Sequence, residues 1–74
     1  MNIQDVIEEL KKKKFDKALS GIDEILNKNP NTEQNINLKG VILLNLERVF
    51  EARKCWLQAI KINNWAKNVY VKVP

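Results

Sequence analysis

The chain has 74 residues and a net charge of +4, from 13 Lys and Arg against 9 Asp and Glu. This length allows one small domain, which buries only about 60% of its unfolded surface and therefore has little core. One Cys and no His exclude a disulfide framework and make a zinc site implausible.

The sequence lacks the features of a membrane or secreted protein. No apolar run approaches the roughly 18 residues that span a bilayer. The first ten residues, MNIQDVIEEL, have neither the basic start nor the apolar run of a signal peptide. A single unpaired thiol suits a reducing compartment. We therefore expect a cytoplasmic protein that does not associate with membranes.

Two helices are predicted in the first half of the chain. Asn2 can cap the first helix, and Ile3, Val6, Ile7 and Leu10 give it one apolar face at helical spacing. The second helix begins at Phe15 and ends before Pro30, because a residue that precedes proline resists the α conformation. Gly21 lies inside this second helix, either to permit close packing or simply tolerated on the surface.

Two more helices are predicted in the second half. The third runs from about Glu33 to Asn45, with Thr32 as its cap, and is apolar most of the way round. Such a helix is expected to be sandwiched between neighbours. We expect Ile36, Gly40, Leu43 and Leu44 to face those neighbours, with Gly40 against the preceding helix and with Val41 and Ile42 widening the apolar belt. The fourth helix runs from about Val49 to Ile62.

The C-terminal segment, WAKNVYVKVP, follows Asn63 and Asn64. We expect the fourth helix to stop before this segment. The segment then forms a short helical turn or an extended tail that packs over the fourth helix.

The two halves repeat each other at a shift of 34 residues. The shift places Phe15, Ala18, Ile22, Ile25 and Pro30 over Val49, Ala52, Trp56, Ala59 and Asn64. Self-similarity at a fixed period of this size is typical of stacked helical hairpins, because one hairpin cannot bury its apolar face alone. The sequence therefore predicts an all-α fold of two stacked antiparallel helical hairpins, with Ala18 and Ala52 at close helix crossings.

The repeated positions resemble the tetratricopeptide repeat family. In the second copy the matching residues are Ile36, Lys39, Gly40, Leu43, Ala52, Trp56, Ala59 and Asn64. In the first copy they are Ile3, Val6, Ile7, Leu10, Phe15, Ala18, Ile22, Ile25 and Pro30, and this copy fits better if the connection after Leu10 is one residue shorter than usual. The resemblance implies one domain over residues 1–74, with repeats at about 2–30 and 32–64 and an extension at 65–74.

The resemblance also implies a function in protein–protein interaction, because the first helices of such repeats line a groove that holds a peptide or a partner helix. The implied partner-binding residues are Gln34, Asn37, Val41, Leu44 and Asn45 in the second copy and Gln4, Glu8 and Lys11 in the first. The alternative is that these residues merely solvate a helical surface. The Lys, Asn and Arg clamp with which the family grips a C-terminal carboxylate is not supplied by Gln34, Asn37 and Val41.

Self-association is a further expectation, because two hairpins leave an apolar flank where a third repeat would stack. The tail over residues 65–73 could cover this flank in its own chain or exchange with a second copy as a domain swap. The expected partners are therefore a protein or peptide and a second copy of the chain.

The lysine cluster Lys11 to Lys14 has two interpretations. Cations at the end of the first helix stabilise it through the helix dipole. The alternative is a small basic nucleic-acid-binding protein whose affinity falls steeply with salt. We favour the first interpretation and expect no nucleic-acid partner.

The sequence offers little catalytic chemistry. There is no His, the two glycines are far apart, and the carboxylates are predicted to lie on exposed faces. Cys55 lies beside Trp56 with no base to activate it, so we interpret it as a packing residue. We expect no enzymatic activity, no catalytic residue, no metal and no cofactor.

Overall fold

The computed structural model describes the backbone of residues 1–71 and the side chains of residues 1–62. The described backbone forms α-helices joined by short turns and contains no strand. Its helices are α1 (Ile3–Lys11), α2 (Phe15–Lys28), α3 (Glu33–Asn45) and α4 (Val49–Val71). The predicted all-α fold of two helical hairpins, α1–α2 and α3–α4, is thus confirmed.

The first helix of each hairpin, α1 and α3, begins in a different way. At α1, the Asn2 side chain accepts a hydrogen bond from the Asp5 amide at 2.9 Å, and the Asp5 carboxylate accepts one from the Asn2 amide at 3.3 Å. This reciprocal capping box satisfies two amides that the helix leaves unpaired. At α3, Thr32 precedes the helix but makes no side-chain capping bond, and its hydroxyl instead donates to the Asn29 carbonyl at 3.2 Å. The predicted cap is therefore present at Asn2 and absent at Thr32.

The turns inside the two hairpins are the same turn. Lys13 and Glu47, 34 residues apart, both have a left-handed backbone, with φ of 62° and 61°. In each turn an amide donates to the carbonyl five residues earlier, Lys14 to Glu9 and Arg48 to Leu43, both at 2.9 Å. This bond belongs to the Schellman motif that ends many helices. The expected one-residue shortening after Leu10 is therefore wrong, and the shift of 34 holds through both hairpins.

The buried core joins the two hairpins. Val6 of α1, Ala18 and Ile22 of α2 and Ile42 of α3 are fully buried in one cluster. Ala52 of α4 is also fully buried. The small side chains of Ala18 and Ala52 let the helix axes approach closely. The second hairpin therefore stacks on the first through the contact between α2 and α3.

Helix α3 packs against both α2 and α4, as its apolar sequence predicts. The residues that face these neighbours differ in part from those expected. Ile42, predicted only to widen the apolar belt, is completely buried, whereas Leu44 is 46% exposed. Ile42 belongs to the core cluster that also contains Ala18 and Ile22 of α2. The expectation that Leu44 faces a neighbouring helix is therefore wrong.

Both glycines lie at close contacts. A β-carbon on Gly21 would collide with the Sδ atom of Met1 and lie 2.9 Å from Cγ2 of Val6, so Gly21 permits close packing of α1 on α2. A β-carbon on Gly40 would lie 2.5 Å from Nε1 of Trp56. Gly40 therefore makes room for a side chain of the following helix, and the expectation of a contact with the preceding helix is wrong.

Glu9 departs from the expectation that the carboxylates are exposed. The residue is half-buried, and its Oε2 atom is shielded from solvent without a hydrogen-bond partner among the described residues. The residue 34 positions later is Leu43, which is buried. Glu9 thus stands at the edge of the core, at the position that Leu43 fills in the second hairpin, which explains why the first copy of the repeat has the weaker apolar pattern.

Helix α4 is longer than predicted. It continues through Asn63 and Asn64 to Val71 instead of ending near Ile62. Asparagine, unlike proline, keeps its amide and can remain in a helix at modest cost. The expected helix end at Ile62 and the tail folded over α4 are therefore wrong. The predicted tail exchange depends on side chains 63–74, which lie outside the described residues.

Candidate protein-interaction surface

The five implied binding residues of α3 share one side of the helix. Successive residues of an α-helix are about 100° apart, so these positions fall within an arc of about 100°. All five are exposed. They are Gln34, Asn37, Val41, Leu44 and Asn45. The structure therefore brings together every site residue that the sequence predicted in the second hairpin.

The residues of α1 that match this side of α3 follow from the shift of 34. Ile3, Ile7 and Lys11 correspond to Asn37, Val41 and Asn45. Ile3 and Lys11 are exposed and Ile7 is half-buried. Val6 of α1 and Ile42 of α3 share one core cluster, so both helices border the same core. We call this surface the α1–α3 face; it consists of Ile3, Ile7, Lys11, Gln34, Asn37, Val41, Leu44 and Asn45.

Glu8 lies outside the α1–α3 face, although it was predicted as a partner-binding residue. It is exposed, but it lies about 100° further round α1 than Ile7. Its match in the second hairpin is Ile42, a core residue. Gln4 is displaced in the same direction. At a shift of 34, without a shorter connection after Leu10, neither residue corresponds to a predicted binding residue of α3.

Ile3 and Ile7 are the residues that sequence reasoning missed at this face. The signal was present, since subtracting 34 from Asn37 and Val41 gives these two positions. The helical spacing of Ile3, Val6, Ile7 and Leu10 instead predicts one continuous apolar face. In the structure the stripe is divided, with Val6 completely buried and Ile3 exposed.

The α1–α3 face has an apolar centre with amide groups around it. Val41 is 41% exposed and Leu44 is 46% exposed. The Asn45 side-chain amide donates to the Val41 carbonyl at 2.9 Å, which holds the side chain along the helix and leaves its oxygen available. Apolar contact can therefore supply affinity here, while amides supply hydrogen bonds.

The four lysines from Lys11 to Lys14 are all exposed. They surround the end of α1, and the amides of Lys12, Lys13 and Lys14 donate to carbonyls of its last turns. Positive charge at this end of a helix is stabilising. This arrangement agrees with the structural interpretation of the cluster.

A cleft of about 480 Å³ lies on the other side of the molecule, where α2, α3 and α4 meet. An ion pair between Lys39 Nζ and Asp23 Oδ1, 2.7 Å apart, links α3 to α2 at this cleft. Cys55 also lines it, and burial raises the pKa of its thiol. Because the thiolate is the nucleophilic form, this shift makes Cys55 less reactive at neutral pH.

A second ion pair fixes the start of α4. Nε of Arg48 and Oε2 of Glu51 are 2.5 Å apart, and both side chains are about half exposed. The hydrogen bond from Arg48 lowers the pKa of the Glu51 carboxyl. A negative charge in the first turn also complements the helix dipole. This pair is therefore part of the hairpin rather than of the α1–α3 face.

The described residues contain neither a metal site nor a membrane-spanning helix. Among the described residues, no three His, Cys, Asp or Glu side chains are placed to hold a metal ion. No helix of the described chain is long and apolar enough to cross a bilayer.

Comparison with protein-family models, with curated proteins and with solved structures finds no match to this chain. The resemblance to tetratricopeptide repeats therefore stays a prediction.

Proposed function

We propose that this protein is a non-catalytic interaction module of the tetratricopeptide type, which binds a peptide or a partner helix on its α1–α3 face. The observation that carries this proposal is the exposure of Val41 and Leu44 together on one side of α3. Large apolar side chains grouped on a surface are typical of interaction sites. The surrounding amides can set the orientation of the bound segment.

The chemistry of the face defines the partner. An amphipathic helix could place its apolar stripe on Val41 and Leu44, as in other helix-in-groove complexes. Lys11 is the charged residue of the face, so an acidic group near one end of the bound segment would be favoured. We further propose that the protein acts in the cytoplasm and associates with copies of itself.

Selection from a displayed library of peptides tests the binding proposal, with the full chain as bait. We expect selected peptides to be amphipathic and to lose affinity by at least about tenfold against a Leu44→Glu variant, since a buried carboxylate would replace an apolar contact. The matched control is Gln58→Glu, which adds the same charge at an exposed position of α4 outside the α1–α3 face. Equal affinity for wild type and Leu44→Glu would exclude the α1–α3 face as the binding site.

A further inference from the structure

A pocket of about 450 Å³ lies beside the turn of the first hairpin, where the connection between α1 and α2 meets the end of α3. Its lining combines three exposed lysines and one exposed carboxylate with two half-buried apolar side chains. Positive charge therefore exceeds negative charge around an apolar floor. We call it the turn pocket; it is lined by Lys13, Lys14, Phe15, Asp16, Lys17 and Leu46.

The equivalent turn of the second hairpin neutralises its own charge. Its backbone is the same, and there Arg48 and Glu51 form an ion pair. Subtracting 34 from these two positions gives Lys14 and Lys17. No ion pair joins either lysine to a carboxylate within the described part of the chain. The first turn thus keeps two positive charges at the positions where the second turn pairs a cation with an anion.

Helix electrostatics do not account for Lys14 and Lys17. Lys14 completes the cluster that stabilises the end of α1, but it is also the N-cap of α2, and Lys17 lies in the first turn of α2. The start of a helix carries partial positive charge, so cations there are unfavourable. Like charges three residues apart on a helix also repel each other. A negative group from outside the chain would relieve both effects.

The turn pocket adjoins one end of the α1–α3 face. Leu46 directly follows Asn45, which is the last residue of α3, and Lys13 lies two residues beyond Lys11, which is the last residue of α1. Lys11 and Asn45 both belong to the α1–α3 face. A segment that lies along the face can therefore continue into the pocket.

We propose that the turn pocket receives the acidic end of the segment that binds the α1–α3 face. One large apolar side chain of that segment rests on Phe15 and Leu46, and Asp or Glu residues on either side of it pair with Lys13, Lys14 and Lys17. The inference rests on the proposed function and adds the chemistry of the partner beyond the face. Charge complementarity selects this occupant. Base stacking by a nucleic acid would need an exposed aromatic ring, and the ring in this pocket is half-buried.

A double-mutant cycle between protein and peptide tests the inference. The probe is an amphipathic peptide selected by display on the full chain, together with a neutral version in which the Asp and Glu residues of its acidic end become Asn and Gln. The protein variant is Lys14→Gln/Lys17→Gln, which removes two cations from the pocket. The matched control is Lys28→Gln/Lys61→Gln, which removes the same charge from exposed positions outside the pocket.

We expect Lys14→Gln/Lys17→Gln to weaken binding of the acidic peptide about three- to tenfold, because each exposed ion pair contributes a factor of a few. The neutral peptide should bind this variant and the wild type equally, and the control should change neither affinity by more than about twofold. Added salt should weaken the acidic peptide more on the wild type than on the variant.

A further variant separates binding from folding. Lys17→Glu copies the charge arrangement of Arg48 and Glu51 into the first turn. It should weaken binding of the acidic peptide at least as much as Lys14→Gln/Lys17→Gln does. The thermal midpoint of unfolding should not fall, because an i,i+3 pair of opposite charges replaces a repulsive one.

Two peptide results would overturn the inference and leave the proposed function standing, provided that binding still depends on Leu44. One is selection of peptides that lack an acidic end, and the other is an equal effect of Lys14→Gln/Lys17→Gln on the acidic and neutral peptides. Failure to select any peptide rejects the proposed function and the inference together. A fluorescent oligothymidylate that binds the wild type, and binds Lys14→Gln/Lys17→Gln more weakly, would assign the pocket to nucleic acid instead.

Discussion

The Nε1 atom of Trp56 lies 2.5 Å from the point where a β-carbon on residue 40 would stand, so Gly40 and Trp56 share one space between α3 and α4. A glycine inside a helix is otherwise unfavourable by about 1 kcal/mol relative to alanine. Close approach of the indole explains why this position of α3 has no side chain.

Replacing Gly40 with alanine should destabilise the protein despite the better helix propensity of alanine. The added methyl would force the indole, a rigid ring, out of its place between two helices. We expect the free energy of unfolding to fall by about 1–3 kcal/mol, which urea denaturation measures.

The same substitution in a Trp56→Ala background is the matched control. With the indole gone, Gly40→Ala should become stabilising by up to about 1 kcal/mol, because only helix propensity remains. An equal loss in both backgrounds would show that the contact is not the reason for the glycine.

Glycine should stabilise the chain in the two equivalent turns. Lys13 and Glu47 have a left-handed backbone that disfavours side chains with a β-carbon. Lys13→Gly and Glu47→Gly should therefore each raise the thermal midpoint of unfolding. The free energy of unfolding should rise by up to about 1 kcal/mol in each variant. Lys12→Gly is the control, since Lys12 has φ of −79° and gains nothing from glycine. Stabilisation by Lys12→Gly, or by only one of the other two, would contradict the equivalence of the turns.

The sequence predicted the hairpins because their signals are local. Ala18 and Ala52 are buried as expected, and α2, α3 and α4 begin at the expected Phe15, Glu33 and Val49. Small residues at helix crossings and the spacing of apolar residues can be recognised in the sequence, because each signal depends on the residues of a single helix.

The register of α1 could not be predicted in the same way. Its apolar residues fit two rotations of the helix, and the turn that chooses between them depends on the backbone at Lys13, a residue with no preference for that conformation. Glu9 adds to the ambiguity, since a carboxylate stands where the second hairpin has Leu43. The continuation of α4 was missed because Asn63 and Asn64 were aligned with the proline that ends α2.

Replacing Glu9 with leucine should stabilise the protein. The Oε2 atom of Glu9 is shielded from solvent without a hydrogen-bond partner among the described residues, and Leu43 fills the matching position of the second hairpin. We expect Glu9→Leu to raise the free energy of unfolding by about 1–2 kcal/mol. Glu24→Leu, at an exposed position of α2, should change it by less than about 0.5 kcal/mol. A loss of stability in Glu9→Leu would show that the carboxylate has a role in α1.

The Cys55 thiol should react with iodoacetamide only at higher pH than an unfolded cysteine does. Burial raises its pKa, so the folded state favours the neutral thiol. The resulting stabilisation is present below the pKa of the unfolded chain and is lost as pH rises through the folded pKa. The pH midpoint of the alkylation rate, compared with that of the urea-unfolded chain, measures the shift. A folded midpoint at or below the unfolded one would contradict it.

The central claim is that the second hairpin stacks on the first in the register that buries Ile42 among Val6, Ala18 and Ile22, since this contact sets the α1–α3 face. Nuclear Overhauser effects between methyl groups test it most directly. We predict cross-peaks from the Ile42 methyls to those of Ile22 and Val6. Cross-peaks from Ile42 that reach only residues of its own hairpin would contradict the stacked arrangement and the surface built on it.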